Sequence, residues 1–235
     1  MQAVKKQRTE DAAAASGPVL DQEDWQSLQG YLQTYDEQRE SVIKRSRDAQ
    51  KLAKQAIYSL HRGAYSRAEE QLASVEKVAR ELLPIIEKEP TLRYGSYAAV
   101  MEEYAEAAIF KVFLTEGRML KASELRELVQ VEEYLGGVLD FTGELNRHAV
   151  ACATQRDVAA VSCCREIVDA LMGQFLQFDL RNGALRKKFD TLKYTLKKLE
   201  SMLYELSLAE ATGMKSRNAE PDEPEGMDTG NATAD

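Results

Sequence analysis

The placement of proline constrains the fold of this chain more than any other feature of its sequence. The 235 residues include five prolines, and the stretches 19–83 and 91–220 contain none. Sheet proteins use proline at turns and strand edges, so stretches of this length without proline argue against a turn-rich all-β fold. A chain of this length suits one well-buried domain rather than several. We therefore expect a single helical domain.

Apolar residues recur at spacings of three and four through most of the sequence, which predicts an all-α bundle of six or seven helices. The predicted helices cover about 21–61, 64–87, 97–116, a short stretch within 123–130, 131–153, 155–178 and 184–211. The first would have about 40 residues and span about 60 Å, too long for one small bundle to cover. Its ends are therefore candidate oligomerisation surfaces, and a break in its polar middle is the alternative.

The two ends of the chain differ in composition from the helical part at 21–211. Residues 1–20 mix charge with an alanine run, and residues 212–235 are acidic and include the run PDEPE. Neither composition supplies enough apolar surface to offset chain entropy, so we expect two disordered tails. Lys5, Lys6 and Arg8 form either a small nuclear-import patch or a solvated charge cluster.

Charge, cysteine and histidine content exclude several classes of protein. The net charge of -8 argues against a generally basic protein that coats nucleic acid, although a local basic surface is compatible with it. Three cysteines without C-x-x-C spacing suggest neither a disulfide framework nor a zinc site, and we expect them to be small core residues. Two histidines exclude most zinc hydrolase patterns. No apolar run reaches the length of a membrane span, and the N-terminus lacks a signal-peptide core, so we expect an intracellular soluble protein.

Carboxylates lie within otherwise apolar sequence in two of the central predicted helices. Glu103 and Glu106 are three residues apart on one helix, and Asp140 and Glu144 are four apart on another. Each pair shares a helix face, where like charges destabilise the helix and burial without a partner costs several kcal/mol more. A divalent cation such as Mg²⁺ would compensate them, because it prefers carboxylate oxygens and stabilises charge in phosphodiester cleavage.

One further observation bears on this hypothesis, and one alternative interpretation stands beside it. Three glycines of the second helix would allow the two helices to approach closely; they are Gly136, Gly137 and Gly143. In the alternative interpretation no metal is involved, Arg147 pairs with Glu144, and Glu102 and Glu103 face water.

A basic strip occupies residues 181–198. It contains seven basic residues and one acid, a local charge of 7 − 1 = +6 in a protein of -8. Such a strip can bind the phosphates of a nucleic acid, with affinity that falls steeply as salt rises. The candidate binding residues are Arg186, Lys187, Lys188, Lys193 and Lys197. The alternative is a solvated face that pairs with a neighbouring acidic helix.

Four segments of the chain resemble the translin family, over residues 35–209 in all. They are 35–62, 102–110 (EEYAEAAIF), 134–147 (YLGGVLDFTGELNR) and 185–208. The first three resemble its translin-associated factor X branch, and the last is closer to translin itself. The resemblance implies an all-α bundle of the translin type that assembles into an octamer, either with translin-like subunits or with itself.

The resemblance also implies an activity and its residues. Factor X-like subunits supply a Mg²⁺-dependent endoribonuclease site, with Mn²⁺ as a possible substitute, whereas translin subunits bind single-stranded RNA or DNA. The catalytic and metal-binding acids would be Glu103 and Glu106 of the E-Y-x-E-A motif and Asp140 and Glu144 of the D-x-T-G-E-L motif. Implied roles are passenger-strand removal in RNA interference or tRNA-precursor processing, in cytoplasm and nucleus. The alternatives are a non-catalytic nucleic-acid-binding subunit and a pure assembly partner.

Overall fold

The computed structural model describes residues 20–213. Within them the regular structure is entirely helical, and its elements follow the expected order closely. The helices are α1 (Gln22–His61), α2 (Tyr65–Lys88), α3 (Ser96–Glu116), α4 (Ala122–Leu125), α5 (Val131–Thr154), α6 (Val158–Phe175) and α7 (Ala184–Ala211), with a 3-10 helix at Pro90–Arg93. Residues 1–19 and 214–235, including the basic patch at Lys5, Lys6 and Arg8, lie outside the described residues.

Helix α1 is continuous over 40 residues, so the break predicted as an alternative does not occur. Asp21 caps its start, because the side-chain Oδ1 accepts hydrogen bonds from the backbone N–H groups of Glu23 and Asp24 at 2.9 and 3.2 Å. No side chain of α1 before Val42 is buried, and the C-terminal part packs against α2 and α3. Residues 22–34 are all exposed and form what we name the overhang of α1, in which the Tyr31 hydroxyl donates a hydrogen bond to Oε2 of Glu89 at 3.2 Å.

Helix α3 lies at the centre of the bundle and packs against α1, α2 and α5. Every residue from Tyr104 to Phe110 is buried. Helix α5 packs in turn against α6 and α7, which completes the core. A helix that is buried on all sides must be apolar nearly throughout, so the acids that α3 carries are exceptional in this position.

The close approach of α3 and α5 depends on two of the three glycines. A Cβ at Gly137 would lie 2.8 Å from both the Ala105 Cβ and the Glu102 carbonyl oxygen, and a Cβ at Gly136 would overlap the Glu102 carboxylate. At Gly143 a Cβ would meet nothing within 4 Å. The expectation of close packing is confirmed at the first two positions and is wrong at Gly143, which faces open space.

A buried ion pair joins the 3-10 helix to the start of α5. Arg93 donates from Nε and Nη2 to the Glu133 carboxylate at 2.9 and 2.7 Å, and from Nη2 to the Leu128 carbonyl at 2.8 Å. Both side chains are almost fully buried. The paired geometry satisfies each charge, which is the condition for burying an ion pair without a large cost.

Two other expectations are resolved by the fold. Of the three cysteines, Cys164 is buried and Cys152 partly buried, whereas Cys163 is exposed, so the expected core location is wrong for Cys163. Among the described residues, no helix combines the length and apolarity that a bilayer crossing requires.

Candidate functional site

The packing of α3 on α5 brings the four predicted acids into one region, which we name the acidic cluster: Glu103, Glu106, Asp140 and Glu144. Glu106 is the most deeply placed, with 7% of its surface exposed. The side chains of Glu103 and Glu144 are 18% and 21% exposed, and that of Asp140 is 35% exposed. The cluster therefore runs from the interior to the surface along the contact between two helices.

Two acids of the cluster, Glu106 and Glu103, have raised pKa values. Burial raises the pKa of Glu106 to about 9, and the charges of Asp140, Glu103 and Glu144 act in the same direction. Burial also raises the pKa of Glu103, against the opposing effect of Lys54. An excess of mutually repelling carboxylates in a partly dehydrated region is the arrangement that a bound cation would relieve.

Lys188 is a basic residue of α7 whose ammonium enters this region. Its Nζ donates hydrogen bonds to Oε1 of Glu102 and Oδ2 of Asp140, so that α7 is tied to both α3 and α5. Burial disfavours the charged ammonium, but its bonds to Asp140 and Glu102 outweigh that effect and raise the pKa of Lys188. Glu102 therefore contacts a cation rather than facing water, contrary to the alternative interpretation.

Glu144 and Glu103 have basic neighbours of their own. His61, at the end of α1, contacts Oε2 of Glu144 through Nε2, and Arg147 Nη1 lies 3.8 Å from the same oxygen. Lys54 Nζ lies 3.8 Å from Oε2 of Glu103. The predicted pairing of Arg147 with Glu144 and the convergence of the acids are thus both present. Sequence reasoning missed the roles of His61 and Lys188, because no local pattern links them to acids 83 and 48 residues away.

The donor set fits a hard divalent cation in its chemistry. Mg²⁺ and Mn²⁺ favour carboxylate oxygens, and the acidic cluster supplies them from two rigid helices. Within residues 20–213, no three His, Cys, Asp or Glu side chains are grouped closely enough to hold an ion as they stand. Lys188 and His61 occupy oxygens of Asp140 and Glu144, so coordination by three acids requires side chains to turn.

The basic strip lies on α7 next to the cluster, and its predicted binding residues divide into two groups. Arg186, Lys187, Lys193 and Lys197 are exposed, whereas Lys188 is directed inward. Arg186 Nε pairs with Asp190 at 3.1 Å, so part of its charge is already used within the helix. The strip therefore offers mainly lysine ammonium groups to an external anion.

A cavity of about 530 Å³ lies between the loop before α7 and the starts of α3 and α5. Its lining includes Glu102, Tyr94, Arg181 and Asn182. Glu102 lines this cavity and also accepts a hydrogen bond from Lys188, whereas the four acids of the cluster do not line it. Sequence reasoning did not find it, because its walls come from segments far apart in the chain.

Fold and site together define an all-α bundle in which an acidic cluster from two central helices lies beside a basic helix. The chain belongs to the translin family, whose model matches residues 37–210. Human translin (Homo sapiens) is 26% identical over 205 residues, which cover 77% of this chain and 90% of that protein. The translin-associated protein X homolog of Schizosaccharomyces pombe is 24% identical over 207 residues, covering 81% and 90%.

Solved structures show the same architecture. The crystal structure of apo-NeC3PO superposes with a TM-score of 0.72 at 24% identity. The match covers 81% of this chain and 100% of the apo-NeC3PO chain. A chain of the AfC3PO–duplex RNA complex superposes with a TM-score of 0.68 at 20% identity, covering 80% and 98%. The predicted all-α bundle of the translin type is thereby confirmed.

Proposed function

We propose that the chain is a Mg²⁺-dependent endoribonuclease subunit of an assembly with translin-like subunits, acting on single-stranded RNA. The observation that carries the proposal is the convergence of Glu103, Glu106, Asp140 and Glu144 at one contact between α3 and α5. Sequence spacing and family resemblance select the same four residues independently. The basic strip beside them provides a surface for the RNA backbone.

Each group of residues has a separate task in this proposal. The acidic cluster holds Mg²⁺ or Mn²⁺; the ion, when bound, supplies Lewis-acid stabilisation of charge on the scissile phosphate. The exposed lysines of the strip, Lys187, Lys193 and Lys197, bind phosphates on either side of that position. Helices α3 and α5 fix the backbone positions from which the carboxylates turn towards the ion, because rigid elements position a site more precisely than loops do.

The four acids of the cluster favour assignment of this chain to the factor X branch, whereas overall sequence identity does not distinguish the two branches. Relatives from both branches are nearly equally identical to this chain, at 26% and 24%. The family resemblance implies that translin-type sequences keep the acid at the position of Glu144 and lack the other three, whereas this chain has all four. The proposed physiological roles are passenger-strand removal in RNA interference or tRNA-precursor processing.

Assembly with other subunits is supported by the overhang of α1. Trp25, Leu28, Tyr31 and Leu32 are each about half exposed there, at 56%, 47%, 58% and 58%. A contiguous exposed apolar surface of this kind marks an interaction site. We place the contact with translin-like subunits, or with further copies of this chain, on this overhang.

The test is cleavage of single-stranded RNA by the wild-type chain and by Asp140→Asn, with Mg²⁺ and with chelator, alone and with a translin partner. We expect the variant and the chelator each to reduce the rate about a hundredfold or more, since charge stabilisation is the main contribution of such a site. Asp169→Asn is the matched control, because Asp169 is exposed on α6 and pairs with Arg165. Undiminished cleavage by Asp140→Asn would sink the assignment.

A second candidate function is favoured by the exposed lysines of α7, which do not depend on a metal. In it the chain is a non-catalytic subunit that binds single-stranded RNA or DNA within an oligomer. The same assay separates the two candidates, because a pure binder gives strongly salt-dependent complexes and no metal-dependent products.

A further inference from the structure

Lys188 differs from the other candidate nucleic-acid residues in the direction of its side chain. It is on α7, yet its ammonium lies between Glu102 on α3 and Asp140 on α5. The side chain is 30% exposed, so part of it remains in contact with water. It thus occupies the boundary between the acidic cluster and the basic strip.

Among the bases of residues 20–213 that border the cluster, Lys188 is the one that contacts Asp140. Lys54 approaches Glu103, while His61 and Arg147 approach Glu144. A divalent cation bound by Asp140 would meet the Lys188 ammonium at the same carboxylate. Two cations at one partly dehydrated carboxylate repel each other strongly, because the low local dielectric screens them poorly.

We propose that Lys188 is the internal counter-cation of the acidic cluster in the metal-free chain, and that a divalent cation displaces its ammonium when it binds Asp140. The inference rests on the metal site of the proposed function. The lysine stem is flexible and its ammonium is already partly exposed, so the displaced group reaches solvent on the side of the basic strip.

Displacement couples the two parts of the site. With its ammonium released, Lys188 joins the exposed lysines of α7 and adds one positive charge to the surface that meets phosphate. By thermodynamic reciprocity, RNA that binds the released ammonium must strengthen metal binding by the same factor as metal strengthens RNA binding. The lysine thus links occupancy of the acidic cluster to affinity for the backbone.

The displacement is tested directly by acetylating surface amines with an amine-reactive ester and mapping the modified lysines by mass spectrometry. In the metal-free chain Lys188 should react slowly, and a saturating Mg²⁺ concentration should raise its rate about fivefold or more as its hydrogen bonds are lost. Lys77, exposed on α2, is the internal reference and should react equally in both conditions. An unchanged Lys188 rate under conditions where metal is bound overturns the inference.

Metal affinity provides the second measurement, by electron paramagnetic resonance of free Mn²⁺ in the presence of the full chain. Removal of the competing cation in Lys188→Gln should tighten Mn²⁺ binding about tenfold, and Lys77→Gln should leave it unchanged. Equal affinity of Lys188→Gln and wild type overturns the inference while the proposed function stands. Absence of binding to every chain overturns the metal assignment and the inference together. Thermal melts by circular dichroism establish that each variant is folded.

Discussion

Glu106 is the residue at which the conflict between burial and charge is greatest. It has 7% of its surface exposed, and three other carboxylates act on it. With a pKa of about 9 in the folded chain, its carboxyl is largely protonated at neutral pH when no cation is bound. The fold therefore carries an electrostatic cost at this position, which the metal site of the proposed function would explain.

Replacing Glu106 with glutamine should stabilise the metal-free protein by about 4–5 kcal/mol at pH 8, because the amide needs no proton to remain neutral and the wild type loses about 1.4 kcal/mol per pH unit above its ordinary pKa. The folded carboxyl has a raised pKa, so the wild type loses stability as pH rises from its ordinary pKa of 4.5 towards about 9. Below pH 4 both chains are neutral at this position and the gain should vanish. Thermal or urea unfolding in chelator, across this pH range, measures it. A gain that is the same at pH 4 and pH 8 would contradict the electrostatic explanation.

Gly137 and Gly143 make a matched pair of substitutions on α5. Gly137→Ala places a methyl group 2.8 Å from the Glu102 carbonyl and 2.9 Å from the Glu106 backbone nitrogen, atoms that cannot move aside easily. We expect it to destabilise the fold by about 1–3 kcal/mol. Gly143→Ala meets nothing within 4 Å and should stabilise the helix by about 0.5–1 kcal/mol. Urea denaturation compares them, and similar effects of both substitutions would show that the close helix contact is absent.

At the scale of elements, sequence periodicity predicted the helices well because each amphipathic stripe reports the face that it buries. The expected limits of 21–61 and 184–211 match α1 and α7 to within one residue. The short helix differs: α4 covers only Ala122–Leu125, because Leu128 and Val129 are buried as part of a turn and not on a helical stripe. Periodicity describes a repeated environment and cannot resolve a single turn.

The candidate site was predicted in part for a related reason. Spacing identified the acidic pairs, because residues three or four apart on a helix share a face whatever the tertiary structure. The contacts of Asp140 with Lys188 and of Glu144 with His61 join different helices. Such contacts depend on how the helices pack, which one sequence does not specify locally. Lys188 looks like its neighbours in the sequence and differs from them only in the folded chain.

Helix α7 should provide much of the electrostatic attraction for RNA. Substituting Lys187, Lys193 and Lys197 together with glutamine removes three exposed charges without touching the core. We expect single-stranded RNA affinity to fall and the slope of log K against log salt to decrease by about two, near 0.7 for each lost phosphate contact. Fluorescence anisotropy at several salt concentrations measures both. Lys44→Gln, an exposed lysine of α1, is the control; an unchanged slope in the triple variant would contradict a role for the strip.

At the scale of the whole molecule, the overhang of α1 leaves apolar surface that residues 20–213 do not cover. Leu28→Glu with Leu32→Glu should reduce the mass of the assembly, measured by light scattering, because charge in a desolvated interface is costly. Both leucines are about half exposed, at 47% and 58%. The free energy of unfolding of the single chain should therefore stay within about 0.5 kcal/mol of the wild-type value. Lys44→Gln again serves as control, and an unchanged assembly mass in the leucine variant would exclude this contact.

The continuity of α1 has a mechanical consequence. The helix carries apolar surface around Trp25 at one end and His61, in contact with Glu144, at the other. Thirty-six residues of unbroken helix separate these positions by about 54 Å, so both lie on one continuous element. A neighbouring subunit that binds the overhang would constrain the same helix that carries His61. The orientation of His61, and with it the surroundings of Glu144, would then be set by contacts that never reach the acids themselves.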